Sequence, residues 1–307
     1  MKVVVPNMIS GVGQVCLKYC KLLGVEPSSP SDDFTGQDVF MFCLPVEQHI
    51  EIMKKIKDYA RTYKFMTVCE TETVHPEYEK LFKISKKMYV PSHFCKRILE
   101  RQFPQARLTV LKHWVPPPLQ GVGQVQVPNQ KPYIFYTIGN VLDPRKQVEK
   151  IVGVFLELGL PQSHLLIKAT SSRDVDWKIP GVTIVNGILN DEDMQRIHNT
   201  GDCYVSFSNS EGVGMGAVEA AMNNKPVIMQ EYGGCSEYVH TPYMIPCTLK
   251  NVGFQDFLFT PELVWGDPDV DVLKKHMKHA YENRVTHMNH DHTREYIRDI
   301  QDHFTDC

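Results

Sequence analysis

No C-x-x-C pair occurs in this sequence: its nine cysteines are scattered along 307 residues, and their number is odd. That pattern argues against a complete disulfide framework or a zinc ribbon and fits a reducing, cytoplasmic setting. The start of the chain, "MKVVVPNM", lacks a long apolar run, carrying one lysine and stopping at Pro6. Neither a signal peptide nor a membrane span is therefore expected there. A large charge of one sign is missing as well. The formal net charge is −3, with 42% apolar and 22% charged residues, a globular composition that names no partner by itself. The length is enough for two domains, each with its own core.

What the chain has is a rhythm. Strand-like runs "KVVVP", "DVFMFCLP", "FMTVCE", "KKMYVPS" and "RLTVLKHW" alternate with helix-like stretches in the first third. The rhythm returns as "YIFYTIG", "HLLIKAT", "VTIVNG", "DCYVSFS" and "KPVIMQE". Short apolar strands separated by helices predict an α/β protein with parallel sheets. Between the two sets, "VPPPLQGVGQVQVPNQK" holds four prolines and no periodic face, as a linker would. The expected division is a first domain over 1–118, a linker over 119–131, a second domain over 132–280 and a helical tail over 281–307. The pentapeptide "GVGQV" occurs in the linker and at 11–15, too short a match to mark a structural repeat.

The first copy follows the strand "KVVVP" and opens a helical pattern, with Ser10 placed to cap it and Gly24 to end it. A glycine loop entering a helix lets backbone N–H groups meet a phosphate, and Gly11 and Gly13 suit that task. The dinucleotide fingerprint needs a small third residue and an acid closing the next strand, whereas this chain has Cys16 and then the polar "EPSSPSDDFTG". A dehydrogenase is therefore disfavoured.

A second glycine-rich stretch, "SNSEGVGMGAVEAAMNNKPVIMQEYGG", carries Gly212, Gly214 and Gly216 between Glu211 and Glu219. The run "CYVSFS" predicts a strand, "NSEGVG" a loop and "MGAVEAAMNN" a short helix. Both carboxylates then border a pocket floored by bare backbone. One acid for each sugar ring and amide N–H groups for a diphosphate would suit an extended, hydroxyl-rich ligand.

The Glu211-x7-Glu219 pattern followed by "NNKPVIMQEYGGCSEYV" resembles the nucleotide-binding signature of retaining family 4 glycosyltransferases of the GT-B fold. "IGNVLDPRKQVEKIVGVF", "KKMYVPSHFCKRILE", "SGVGQV" and "CETETVHPEY" are similar to further segments of that family, in the same order. The resemblance implies two Rossmann-like domains facing across a cleft, with the last helix packing back on the first. It also implies a metal-independent transfer from a nucleotide-diphosphate sugar, with no separate cofactor. On this likeness Glu211 would contact the donor sugar and Glu219 the ribose, and Lys146 with Arg145 would neutralise the diphosphate. Asn140, Gly214, Met215, Gly216, Gly233, Gly234 and Glu237 would shape the donor pocket. Retention would follow from front-face attack, the departing phosphate helping to take the acceptor proton.

The chain departs from the family at three points. Asn140 stands where an arginine is common, Gln147 where glycine often follows the lysine, and Trp114 at a glycine position near the end of the first domain. Glu72 and His75 are acceptor-side candidates. A sugar-nucleotide epimerase and an inactive binding protein on the same scaffold are the alternatives, and the short first domain suits a viral or phage enzyme or a small bacterial one.

No metal site is expected. The acid pairs at Asp174 and Asp176, Asp191 and Asp193, and Asp267 to Asp271 do not close hydrophobic strands, and read as loops and caps rather than a D-x-D cation site. The tail histidines, His276, His279, His287, His290 and His292, read as a solvated helix. Charge is unevenly distributed. Residues 1–127 carry 17 Lys and Arg against 12 Asp and Glu, a balance of +5, while the remainder carries 16 against 24, a balance of −8. An acceptor that is anionic, such as nucleic acid with a modified base, would suit the basic first domain, as would contact with an anionic membrane surface; a glycan acceptor is the other expectation.

Overall fold

The computed structural model describes residues 1–8, 10–127, 132–171, 173–295 and Ile297. The described residues divide into two compact units, one comprising residues 1–116 and 249–265, the other residues 117–248 and 266–295.

In the first unit, strands β1 (Lys2–Val4), β2 (Pro27–Ser28), β3 (Asp38–Phe42), β4 (Thr62–Met66), β5 (Lys87–Val90) and β6 (Arg107–Val110) form one sheet. Their order is β2-β1-β3-β4-β5-β6, and every pairing is parallel. Parallel neighbours need crossovers, supplied here by helices α1 (Gly11–Leu23), α2 (Glu47–Tyr59), α3 (Tyr78–Ile84) and α4 (His93–Gln102). The caps anticipated for α1 are present: Ser10 Oγ accepts from the Gly13 N–H at 3.0 Å, and Gly24 is left-handed with φ 63°. Cys16 is on the fully buried face of α1, and burial pushes its thiol up to about 12.

The second unit repeats the plan with β7 (Tyr133–Gly139), β8 (Ser163–Ala169), β9 (Val182–Val185), β10 (Cys203–Val205), β11 (Val227–Gln230) and β12 (Met244–Ile245). The order β12-β11-β10-β7-β8-β9 is again parallel throughout. Helices α5 (Val148–Leu158), α6 (Asp191–Thr200), α7 (Met215–Met222) and α8 (Val270–Glu282) accompany it. The central strand β7 reads "YIFYTIG", and its first five residues are all buried. An unbroken apolar run, not an alternating one, is what a parallel strand covered on both faces requires. It pairs with β8 over seven residues, from Tyr133 opposite Ser163 to Gly139 opposite Ala169.

Each sheet reverses its strand order once, between β1 and β3 in the first and between β7 and β10 in the second. Such switch points open a crevice beyond the carboxyl ends of the strands, where ligands of open α/β sheets bind. The proline-rich segment forms neither helix nor strand over 111–127. It runs along α6, with the Leu119 N–H donating to Gln195 Oε1 at 3.0 Å and the Val125 N–H to Thr200 Oγ1 at 2.7 Å. A short pair, β13 (Cys247–Asn251) with β14 (Val264–Pro268), follows β12.

The expected return of the last helix onto the first domain falls largely outside the described residues. Residues 291–295 are helical and rest on the second unit, where Thr293 Oγ1 donates to the Tyr238 carbonyl at 2.8 Å. Among the described residues no helix is long and apolar enough to cross a membrane.

Candidate functional site

The second unit's switch point is built from two loops. The β7 to α5 connection contains a 3₁₀ turn, Pro144–Lys146, and the β10 to α7 connection carries Phe207 to Gly214. Three hydrogen bonds fasten them together. The Asn209 N–H donates to the Arg145 carbonyl at 2.8 Å, Arg145 Nη1 to the Ser210 carbonyl at 2.6 Å, and Gln147 Nε2 to the Phe207 carbonyl at 3.0 Å.

Gln147 is left-handed, with φ 47°, a conformation that favours glycine and costs other residues roughly 1 kcal/mol. The hydrogen bond its side-chain amide donates to the Phe207 carbonyl is of similar size and offsets that strain. The departure from glycine at this position thus has a local reason. So does Asn140: its Oδ1 accepts from the Leu142 N–H at 3.1 Å, making it the organiser of its own loop rather than a substitute cation.

Charge gathers where the loops meet. Glu211 is buried; its Oε1 accepts from Lys146 Nζ and, at 2.7 Å, from Ser208 Oγ, and its Oε2 lies 3.5 Å from Arg145 Nη1. Burial pushes the carboxyl up, but the Lys146 and Arg145 charges more than offset it and hold it at about 2. Asp143 Oδ2 lies 3.2 Å from Arg145 Nη2, so at this locus two cations are balanced by two carboxylates. An incoming phosphate group could take over Lys146 and Arg145 by forming charge-assisted bonds of comparable strength.

Around this locus lies a small pocket, lined among others by Ile138, Lys146, Tyr204, Glu211, Gly214 and Gly216. Its floor is the start of α7, whose first turn supplies N–H groups and the positive end of a helix dipole. Only glycine fits at two positions that shape the site, one lining the pocket and one behind Glu211. A Cβ on Gly216 would stand 2.4 Å from Tyr204 Oη, so α7 sits directly against β10. Gly233 has φ 103° and would place a Cβ 2.5 Å from the Glu211 carbonyl oxygen, to which the Gly234 N–H donates at 2.8 Å. Gly233 and Gly234 therefore clasp the backbone that carries Glu211. Met215 opens α7 and Glu237 ends the 3₁₀ turn Gly234–Glu237 that follows.

Glu219 lies one turn into α7, its carboxylate 3.6 Å from His198 Nε2 and partly exposed. Both anticipated carboxylates reach the same neighbourhood: after burial, the charges of Glu211 and Glu219 are what push the Tyr204 phenol up. The sequence reading did not single out Ser208, His198, Tyr136 or Lys168. Lys168 had a signal, being the one charged residue inside the apolar run of β8. It is buried, donates to the Gly187 carbonyl at 2.8 Å, and has its pKa lowered to about 8 by burial, against the opposing pull of Glu219.

The first-unit candidates lie apart from this cluster in sequence and have local partners. Gly13 gives its N–H to Ser10, and a Cβ there would collide with the Asn7 carbonyl, whereas Gly11 has open space around it. Glu72 faces Arg101 at 3.6 Å, and His75 Nδ1 accepts from the Glu77 N–H at 3.1 Å. Asp269 caps α8 by accepting from the Asp271 and Val272 N–H groups, and Asp191 and Asp193 occupy the first turn of α6. The tail histidines do not form the solvated helix expected: residues 285–290 are not helical, His290 is buried and donates to the Lys225 carbonyl at 2.9 Å, and His276, on α8, donates to the Met244 carbonyl at 3.0 Å. Among the described residues no three His, Cys, Asp or Glu side chains converge as metal ligands.

Residues 176–243, which include both glutamates and the Gly233–Gly234 clasp, match the family model of glycosyl transferases group 1. No curated protein matches the sequence. Similar folds occur among solved structures. The pneumococcal O-GlcNAc transferase GtfA, in complex with UDP and GlcNAc, aligns with a TM-score of 0.56 at 15% identity, over 94% of this chain and 56% of its own. Sucrose-phosphate synthase from Thermosynechococcus elongatus gives 0.58 at 14% identity, over 96% and 75%. A UDP-forming α,α-trehalose-phosphate synthase from Burkholderia xenovorans, in complex with glucose-6-phosphate, gives 0.61 at 8% identity, over 88% and 72%. The chain thus spans little more than half the length of GtfA. Two Rossmann-like units with parallel sheets, matched over most of the chain by these structures, give this protein the GT-B fold.

Proposed function

We propose that the protein is a glycosyltransferase that moves a sugar from a nucleoside-diphosphate sugar to an acceptor hydroxyl, with retention and without a metal ion. The observation that carries this reading is the Lys146, Arg145 and Glu211 cluster at a switch point floored by the start of α7. The group 1 match over residues 176–243, which include Glu211, Glu219 and the start of α7 but not Arg145 or Lys146, supports it. So do the UDP complex of GtfA and the UDP-forming activity named for the trehalose-phosphate synthase.

In this reading the donor diphosphate takes Lys146 and Arg145 from Glu211. The freed carboxylate then turns to the sugar hydroxyls, and Glu219 takes the ribose. The bond from the sugar's anomeric carbon to the phosphate oxygen breaks while the acceptor oxygen attacks from the same face. The acceptor proton passes to the departing phosphate. Charge grows on that phosphate in the transition state, so cations fixed beside it accelerate the step rather than merely binding the ground state. In this reading the diphosphate enters beside Lys146, which lines the pocket with Glu211 and Gly214, and the nucleoside lies towards α7 and Glu219. Glu72 and His75 are proposed for the acceptor side. The scattered cysteines, unpaired among the described residues, support a reducing compartment.

Incubation with a panel of labelled nucleotide sugars tests the reading. Release of nucleoside diphosphate with transfer supports it and identifies the sugar as hexose or pentose. Release of a free 2-epimer would point to an epimerase, and binding without turnover to an inactive relative. Because the phosphate charge is met by Lys146, Arg145 and backbone N–H groups, turnover is expected to survive EDTA. Complete loss that added Mg²⁺ or Mn²⁺ restores would rule out the metal-independent mechanism.

A further inference from the structure

Glu219 stands at the end of a buried polar chain that sequence spacing does not reveal. Tyr136, on β7, is fully buried and packed edge-on between two rings, His198 at 5.6 Å and Tyr204 at 5.2 Å between centroids. Gly201 approaches so closely that a Cβ there would lie 2.1 Å from the Tyr136 ring, so the phenol has no room to turn. Its hydroxyl lies 3.0 Å from His198 Nδ1. The opposite ring nitrogen, Nε2, is buried without a hydrogen-bond partner and points at Glu219 Oε2, 3.6 Å away.

These contacts select one tautomer. If the Tyr136 hydroxyl donates to Nδ1, the proton of the neutral imidazole sits on Nε2 and faces the carboxylate. The other tautomer would aim a lone pair at a negative oxygen. A buried N–H without an acceptor is costly, and a small rotation of the Glu219 side chain brings its oxygen within hydrogen-bond range. From the β8 side the carboxylate meets the charge of Lys168, which is itself anchored on the Gly187 carbonyl.

We propose that His198 is a positioning residue for Glu219: its Nε2–H holds one carboxylate oxygen so that the other faces the ribose diol of the donor nucleotide. The proposal rests on the reading of Glu219 as the ribose acceptor. In this arrangement α6 and β7 control how well the site tells a ribonucleotide from one lacking the diol, although neither His198 nor Tyr136 touches the ligand.

Calorimetric titration with uridine diphosphate and its 2′,3′-dideoxy form, or the same pair for whichever base the donor panel selects, separates the possibilities. His198→Phe should weaken binding of the ribonucleotide by roughly tenfold, the size of one hydrogen bond to a charged group, and leave the dideoxy form unchanged. In a Glu219→Ala background the same substitution should add nothing. Should the Phe variant not fold, His198→Asn, which keeps a polar atom towards Tyr136 and has none at the Nε2 position, gives the same comparison. Equal losses for both nucleotides, or additive losses with Glu219→Ala, would overturn the positioning role and leave the proposed function standing. An unchanged ribose preference in Glu219→Ala alone would overturn the ribose assignment and the positioning role with it.

Discussion

A carboxylate enclosed by protein either finds cations or takes up a proton, and Glu211 finds two. Its folded pKa of about 2 lies below the ordinary 4.5, so its contribution to stability is fully present above that ordinary value and is lost as pH falls towards 2. Glu211→Gln should therefore flatten the acid side of the stability profile. A melting temperature that falls as steeply between pH 4.5 and pH 2 in the variant as in the parent would contradict this. The two glutamates should also differ in kinetics. Glu219→Ala is expected to weaken donor binding by about 1.5 to 3 kcal/mol, because ribose hydroxyls lose a charged acceptor. Glu211→Ala should mainly lower kcat by misplacing the sugar. Calorimetry showing unchanged nucleotide affinity in Glu219→Ala would remove that assignment. The sequence displays Glu211 and Glu219 because their spacing around glycines is unusual, and Lys146 only through the family resemblance of the segment that carries it. It hides Ser208, His198 and Tyr136, whose importance depends on which side chains face one another across β7, β10 and α6, and linear spacing carries no such information.

At the scale of elements, strands at the sheets' centres are plain in the sequence because they are buried on both faces and read as apolar runs, as β7 does, β8 being interrupted by His164 and Lys168. β2 and β12 are two residues each, and β13 is mostly exposed, so neither burial nor periodicity marks them. Helix α7 is a different case. Its sequence, "MGAVEAAM", is composed of small residues because it lies hard against β10. Gly216→Ala should cost about 1 to 3 kcal/mol by driving a methyl group into the Tyr204 hydroxyl. Tyr204→Phe removes that hydroxyl and leaves Cζ 3.1 Å from the added carbon, so the double variant should recover part of the loss. Urea denaturation of the four proteins provides the cycle, and strictly additive effects would mean that α7 is displaced by something other than this contact.

Across the whole molecule, the repeated parallel sheets are legible from the strand rhythm, while the grouping of residues 249–265 with the first unit is not: a chain that crosses between units leaves no periodic trace. The charge split is legible, and the structure refines it. Many first-unit cations are already paired with acids on their own helices, as Lys54 is with Glu51, Lys80 with Glu77 and Lys83 with Glu79. Exposed pairs of this kind are worth little and exchange partners readily. Lys86 and Lys87 are exposed at the start of β5, so together with Lys83 they test whether the +5 balance serves an anionic acceptor. A polyanion bound through several cations releases several counterions, whereas a nucleoside diphosphate releases few. With donor saturating, acceptor KM should rise steeply between low and physiological salt, and replacing Lys83, Lys86 and Lys87 with Gln should reproduce part of that rise without changing nucleotide affinity. If KM is flat with salt in both proteins, the lysines form an ordinary solvated face and the acceptor is a neutral glycan.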